Sequence, residues 1–151
     1  VKVEAAIIVP GRISEAEAVW FDTNRWPTWL DGFGHLARVD DTWPATGARV
    51  DWDSRPQGRG RVSEKVIRYE PRVEQVLEVE DGKIRGTQRV AFEGSGTEQT
   101  RVTLSLDYEL KERTPFTPLL DKLFVRRAMR DSLKRSLWRF ANERKADVEF
   151  S

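Results

Sequence analysis

Cysteine is absent from this chain, and histidine and methionine occur once each, as His35 and Met129. No disulfide, thiolate metal site or cysteine nucleophile can therefore form. One histidine is too few for a zinc site of three or four nitrogen, sulfur or carboxylate ligands, so no metal is expected. A Ser-His-Asp triad would have to use His35, and no Gly-x-Ser-x-Gly elbow accompanies it. His35 follows Phe33-Gly34 at an expected strand start and reads as a structural or rim residue. The pair Gly58-x-Gly60 has Ser63 where a dinucleotide loop needs its third glycine, and no phosphate-binding loop occurs, so no cofactor is expected. Long apolar runs are missing too. Ala5-Ala6-Ile7-Ile8-Val9 is too short for a signal sequence core or a membrane span, which makes a cytoplasmic location the default expectation. Net charge is only +1, which gives no general pull toward nucleic acid.

What the chain does have is aromatic and charged residues in quantity: six Trp and seven Phe beside 34% charged residues, too aromatic for a disordered chain. Its 151 residues, without linker or repeat, read as one domain spanning 1–151. Lys2 to Val9 is β-rich and stops at Pro10-Gly11. Ser14 with Glu17 three residues on reads as a capping box opening a short helix with Ala16, Val19 and Trp20 on one face. Pro27 stops that helix by pushing Trp26 out of the helical region, and opens a second short turn carrying Trp29 and Leu30, closed by Asp31-Gly32.

From about residue 34 to 111 the period is two. Val50 and Trp52 alternate with charged neighbours, as do Gln75, Leu77 and Val79, then Ile84, Gln88, Val90 and Phe92, then Val102, Leu104, Leu106, Tyr108 and Leu110. Turn signals at Pro56 to Gly60, Glu70-Pro71, Asp81-Gly82 and Gly94-Ser95-Gly96 separate them. Such hairpins make an antiparallel sheet with one solvated face, and the apolar face needs a cover. After Pro115 and Pro118 the chain reads helical to about Lys145. Leu119, Leu120, Leu123 and Phe124 form one row; Val125, Met129, Leu133, Leu137 and Phe140 form a rotated one, so an opening turn, a kink and a main helix from about Val125 are expected. Ser132 and Ser136 flank the second row and leave space beside it.

This order resembles the START-like (SRPBCC) superfamily, in particular its polyketide cyclase/dehydrase and lipid-transport group. The resemblance rests on the segment 14–30 with Arg25-Trp26-Pro27-Thr28-Trp29-Leu30, the Tyr69-Glu70-Pro71 and Gly96-Thr97 turns, and the amphipathic C-terminal helix. It implies an α+β, helix-grip (pollen-allergen-like) fold: a curved seven-stranded antiparallel sheet around a long C-terminal helix, with two short helices after the first strand. It also implies a hydrophobic cavity between sheet and helix, which spacing alone does not establish.

Within such a cavity the expected ligand contacts are Trp29, Trp52, Glu64, Val66, Gln75, Leu77, Gln88 and Val90 from the first half of the wall. Phe92, Leu106, Tyr108, Phe124, Met129 and Leu133 complete it. Glu64, between Val62 and Val66, faces inward unless a slip near Ser63 turns it out; facing inward it must be paired, protonated or wet. Two uses follow. One is binding or carriage of a lipid, isoprenoid or polyketide-like molecule; the other is a cyclase or dehydratase with Glu64, Arg68 or Tyr108 as acid/base groups. With one inward carboxylate and no inward histidine, carriage is the favoured expectation. An empty apolar pocket of roughly 300 Å3 would cost about 7 kcal/mol, so a real pocket should be small, wet or filled.

A third use concerns the outside of the helix. Residues 118–145 hold nine Lys/Arg against three Asp/Glu, a net +6. Arg127, Lys134, Arg135 and Trp138 fall opposite the Leu133/Leu137 stripe. They form either a solvated face or a docking face for an anionic membrane or an acidic partner. No nucleic-acid reader motif accompanies the charge. Monomer and homodimer both fit the sequence.

Overall fold

The computed structural model describes residues 1–111 and 119–150. Strand β1 (Lys2–Pro10) is followed by helix α1 (Ile13–Phe21), a 3-10 turn at Thr23–Arg25 and the single-turn helix α2 (Trp26–Trp29). Six strands come next: β2 (Phe33–Val39), β3 (Arg49–Ser54), β4 (Arg61–Glu70), β5 (Glu74–Glu80), β6 (Ile84–Gly94) and β7 (Gln99–Leu110). Helix α3 (Leu119–Glu149) closes the chain. The seven strands form one antiparallel sheet in the order β1-β7-β6-β5-β4-β3-β2. This is the expected helix-grip arrangement.

The sheet is solvated on one face because its strands alternate: in β4, Val62, Glu64 and Val66 are buried while Arg61, Ser63 and Lys65 are exposed. Gly86 in β6 lies opposite Tyr108, where a Cβ would sit 2.2 Å from the Asp107 carbonyl oxygen, so the two strands meet at a distance only glycine allows. On the inner face the aromatic residues pack edge to face. Phe140 of α3 seats between Trp20 and Trp29, with ring centroids 5.1 and 5.2 Å away.

Three local expectations change. Helix α1 begins at Ile13 rather than after Ser14: Gly11, at φ +100°, turns the chain straight out of β1, and the Arg12 amide donates to Glu15 Oε1 at 3.3 Å. Glu17 instead reaches across to accept from the Tyr69 hydroxyl at 3.1 Å and from the Arg72 amide. Trp26 is helical (φ −55°, ψ −36°) despite preceding Pro27, held by its indole N–H donating to the Trp20 carbonyl at 2.9 Å. Finally, α3 is one continuous helix of 31 residues with no separate opening turn. The expected boundary at Pro115 and Pro118 lies outside the described residues.

Ion pairs fix α3 in place. Arg25 donates to Glu143 at 2.9 Å and pairs with Asp147 at 2.8 Å, while buried Arg144 pairs with Asp147 at 3.1 Å and with Glu15 at 3.6 Å. Asp31, in the turn after α2, accepts from Ser132 Oγ at 2.7 Å and from Arg135 and Arg139 at 3.1 Å, and its amide donates to Ser136 Oγ at 2.9 Å. Desolvation works to raise the Asp31 pKa, but the hydrogen bonds from Arg135 and Ser132 outweigh it and hold the carboxyl below its ordinary value.

Candidate functional site

The concave face of the sheet and the seam between α2 and α3 enclose a cavity with about 50 Å3 of free volume. Trp52, Glu64, Gln75, Leu77, Gln88 and Leu104 line it from the strands; Leu133, Ser132 and Ser136 close it from α3. Trp20, Trp26, Trp29, Leu30, Asp31, Trp43 and Arg59 complete the wall. At roughly 10–15 Å3 per water centre it has room for a few waters, far below the roughly 300–1,000 Å3 of a drug-sized pocket. A large ligand needs the seam to part.

Glu64 points inward and is 8% exposed. Its register partners are Val50 and Val79, so no slip occurs at Ser63; the irregularity lies further on, between Val66 and Arg68. Burial pushes the Glu64 carboxyl up to about 7, against the attraction of Arg59 and the nearby Trp52 indole, which favour the ionised form. Arg59 lies over the Trp52 ring, its Cζ 5.6 Å from the ring centroid, and is held there by Asp81 at 2.7 Å.

The indoles around the cavity differ in one decisive respect. Trp26 Nε1 donates to the Trp20 carbonyl and Trp43 Nε1 to the Phe21 carbonyl at 3.0 Å. Trp29 and Trp52 are 2% and 1% exposed, yet their indole N–H groups find no hydrogen-bond partner among the described residues. The Trp52 indole N–H lies close enough to Glu64 for hydrogen bonding to favour the ionised carboxylate, though it falls short of full hydrogen-bond geometry. A buried donor left unpaired costs about 1–3 kcal/mol. Two such donors beside a carboxyl half-protonated near neutrality make a site suited to an apolar molecule carrying oxygen acceptors.

The other expected contacts are placed elsewhere. Val66, Val90, Phe92 and Leu106 are buried in the core rather than on the cavity wall, and Met129 is half-buried against that core. Arg68 lies on the outer face, where it pairs with Glu74 at 2.8 Å, because the bulge after Val66 reverses the alternation. Tyr108 is 4% exposed but lies at the end of β7 paired with Gly86, away from the cavity; burial raises its phenol and Arg126 partly offsets this. Phe124 is 73% exposed and faces solvent, on the continuous helix α3. His35 pairs with Asp53 at 2.9 Å on the exposed side. Among the described residues no cluster of three or more His, Cys, Asp or Glu could hold a metal ion, and no helix is long and apolar enough to cross a membrane.

Residues 1–143 match the family model described as polyketide cyclase / dehydrase and lipid transport. The chain belongs to this family. No curated protein matches the sequence. Among solved structures, a START superfamily protein from Mycobacterium smegmatis is 16% identical with a TM-score of 0.75, covering 96% of this chain and 97% of its own. A Thermus thermophilus protein is 18% identical at a TM-score of 0.73, covering 97% and 99%. The di-domain ARO/CYC protein StfQ of the steffimycin biosynthetic pathway is 16% identical at 0.78, covering 99% of this chain and 52% of its own. At these identities the likeness shows the START-like fold alone.

Proposed function

We propose that this family member binds an apolar small molecule with oxygen acceptors in the cavity under α3 and carries it unchanged. The observation that carries the reading is the pair of buried, unpartnered indole N–H groups of Trp29 and Trp52 in a cavity that also holds Glu64. A carbonyl or hydroxyl oxygen placed there would satisfy donors that the protein leaves open, while Leu77, Leu104 and Leu133 take up the apolar body. The closed volume of about 50 Å3 agrees with the physical expectation that an unfilled pocket is small. Loading then requires α3 to separate from the Asp31 turn, breaking contacts to Ser132, Arg135 and Arg139.

A second reading, a cyclase or dehydratase, is favoured by one observation: a carboxyl raised to about 7 is matched to proton transfer at neutral pH. The indoles would then hydrogen-bond the carbonyl whose neighbouring carbon loses a proton to Glu64. Carriage is preferred because Arg68 and Tyr108 lie outside the cavity, and Asp31, the other carboxyl on its wall, is already engaged by Ser132, Arg135 and Arg139. Native mass spectrometry of the purified chain, followed by extraction of the bound molecule, separates the two. One unaltered oxygenated apolar molecule per chain supports carriage; conversion of a linear added substrate to a cyclised product, lost in Glu64→Gln, supports the enzyme. A chain that carries nothing and takes up no apolar aromatic ketone removes both.

A further inference from the structure

Helix α3 has a second apolar set that the core does not use. Its inward residues Leu133, Leu137 and Phe140 are buried, while Leu123, Phe124 and Trp138 are 54%, 73% and 64% exposed. At 100° per residue, Leu123 and Phe124 fall within about 60° of Trp138 on the helix circumference, and Phe124 stands about 21 Å from it along the axis. Arg127, Lys134 and Lys145 lie in the same sector, all exposed, against the two acidic residues Asp131 and Glu149. Beside Trp138, between α3 and the free edge of β1, runs an open groove of about 630 Å3 floored by Ala5, Ile7 and Leu137 and rimmed by Lys134, Arg135 and Arg139. Single exposed apolar residues are ordinary; three in one sector, interleaved with cations and flanked by an apolar groove, are not.

We propose that this outer face of α3 docks on an anionic lipid bilayer, with Trp138, Phe124 and Leu123 at the level of the headgroups and acyl chain ends. Arg127, Lys134 and Lys145 supply the charge complementarity. A second copy of the chain is a poor occupant, because a two-fold contact would set this basic face against itself. An acidic protein surface would satisfy the cations but leave the three apolar side chains against charge. The bilayer accommodates both, and the exposed tryptophan suits the interface. The proposal goes beyond the cavity reading and does not depend on it.

The test is cosedimentation with vesicles of phosphatidylcholine alone and of phosphatidylcholine mixed with an equal part of phosphatidylserine. The wild-type chain is expected to pellet with the mixed vesicles, to stay in solution with the neutral ones, and to be released by salt. At about fivefold per basic residue near an anionic surface, Arg127→Glu/Lys134→Glu should lower partitioning by about 25-fold or more. Phe124→Ser/Trp138→Ser should lower it by more than about tenfold, since burying one large apolar side chain contributes at least that much. All four positions are solvent-facing, so thermal midpoints should stay near wild type. Glu64→Gln, inside the cavity, should bind vesicles as wild type does, which separates this outcome from that of the cavity reading. Equal partitioning onto both vesicle types, none onto either, or undiminished binding by the charge-reversed variant overturns the proposal. Retention on polyglutamate without vesicle binding overturns it in favour of an acidic protein partner.

Discussion

Replacing Glu64 by glutamine should stabilise this protein, and the gain should depend on pH. Burial raises the folded-state pKa of Glu64 from 4.5 to about 7. The folded chain therefore holds a proton that the unfolded chain releases between those values. Stability is fully retained below about pH 4.5, falls as pH rises toward 7, and levels off above it. At about 1.36 kcal/mol per unit, the loss amounts to roughly 3 kcal/mol. The glutamine of the variant keeps the shape and never ionises, so the difference between variant and wild type should be near zero at about pH 4.5 and approach about 3 kcal/mol at about pH 8. For a chain of this length that corresponds to roughly 6–12 °C in Tm. Urea unfolding of both proteins at a series of pH values measures it directly. A pH-independent difference, or a variant less stable than wild type at about pH 8, would refute the argument that burial of this carboxyl outweighs the attraction of Arg59 and Trp52. If the gain is found, the wild-type chain keeps a carboxyl that costs it stability, which is what a functional group in a cavity does.

Other positions give separate tests. Phe140→Ala, which empties the seat between Trp20 and Trp29, should cost about 3–5 kcal/mol in denaturant melts; a loss below about 1 kcal/mol would mean that α3 does not grip the aromatic core. Asp31→Ala should cost about 1–3 kcal/mol at neutral pH by unpairing Ser132, Arg135 and Arg139, and should raise protease susceptibility along the seam. Because the Asp31 pKa is held below 3.8, that difference should persist above about pH 4 and fade as pH drops further. Trp52→Phe removes one unpartnered donor and should weaken ligand binding about 5- to 150-fold in titrations, without the large stability loss expected of a fully bonded buried tryptophan.

The fold is legible in the sequence because its signals are local. Alternation of two places Glu64, Gln75, Leu77 and Gln88 on the inner face, and all four line the cavity. The same rule extended to Arg68 puts it inward and fails there, since one bulge between Val66 and Arg68 reverses the phase and nothing in Ile67 announces it. The row that groups Phe124 with Leu119, Leu120 and Leu123 reads as an inward face, yet Leu123 and Phe124 are exposed, because the row buried by α3 is that of Leu133, Leu137 and Phe140. Asp31 and Arg59 read along the chain only as parts of turns. Their importance arises from partners far off in sequence, Ser132 and Arg135 for one and Asp81 for the other, which no local window along the chain brings together. The difference between satisfied and unsatisfied indoles is equally hidden, because Trp26 and Trp43 find main-chain carbonyls only once the helices have packed.

The central claim is that Trp29 and Trp52 present their indole N–H groups to a ligand. The six tryptophans give six indole resonances in a nitrogen-proton correlation spectrum, assignable by single Trp→Phe variants. Addition of the molecule extracted from the protein, or of a bicyclic aromatic ketone, should shift the Trp29 and Trp52 signals downfield and slow their solvent exchange. Trp26 and Trp43, already bonded to carbonyls, should move little. Perturbation confined to the exposed Trp138, or a saturable ligand that leaves Trp29 and Trp52 unchanged, would contradict the account.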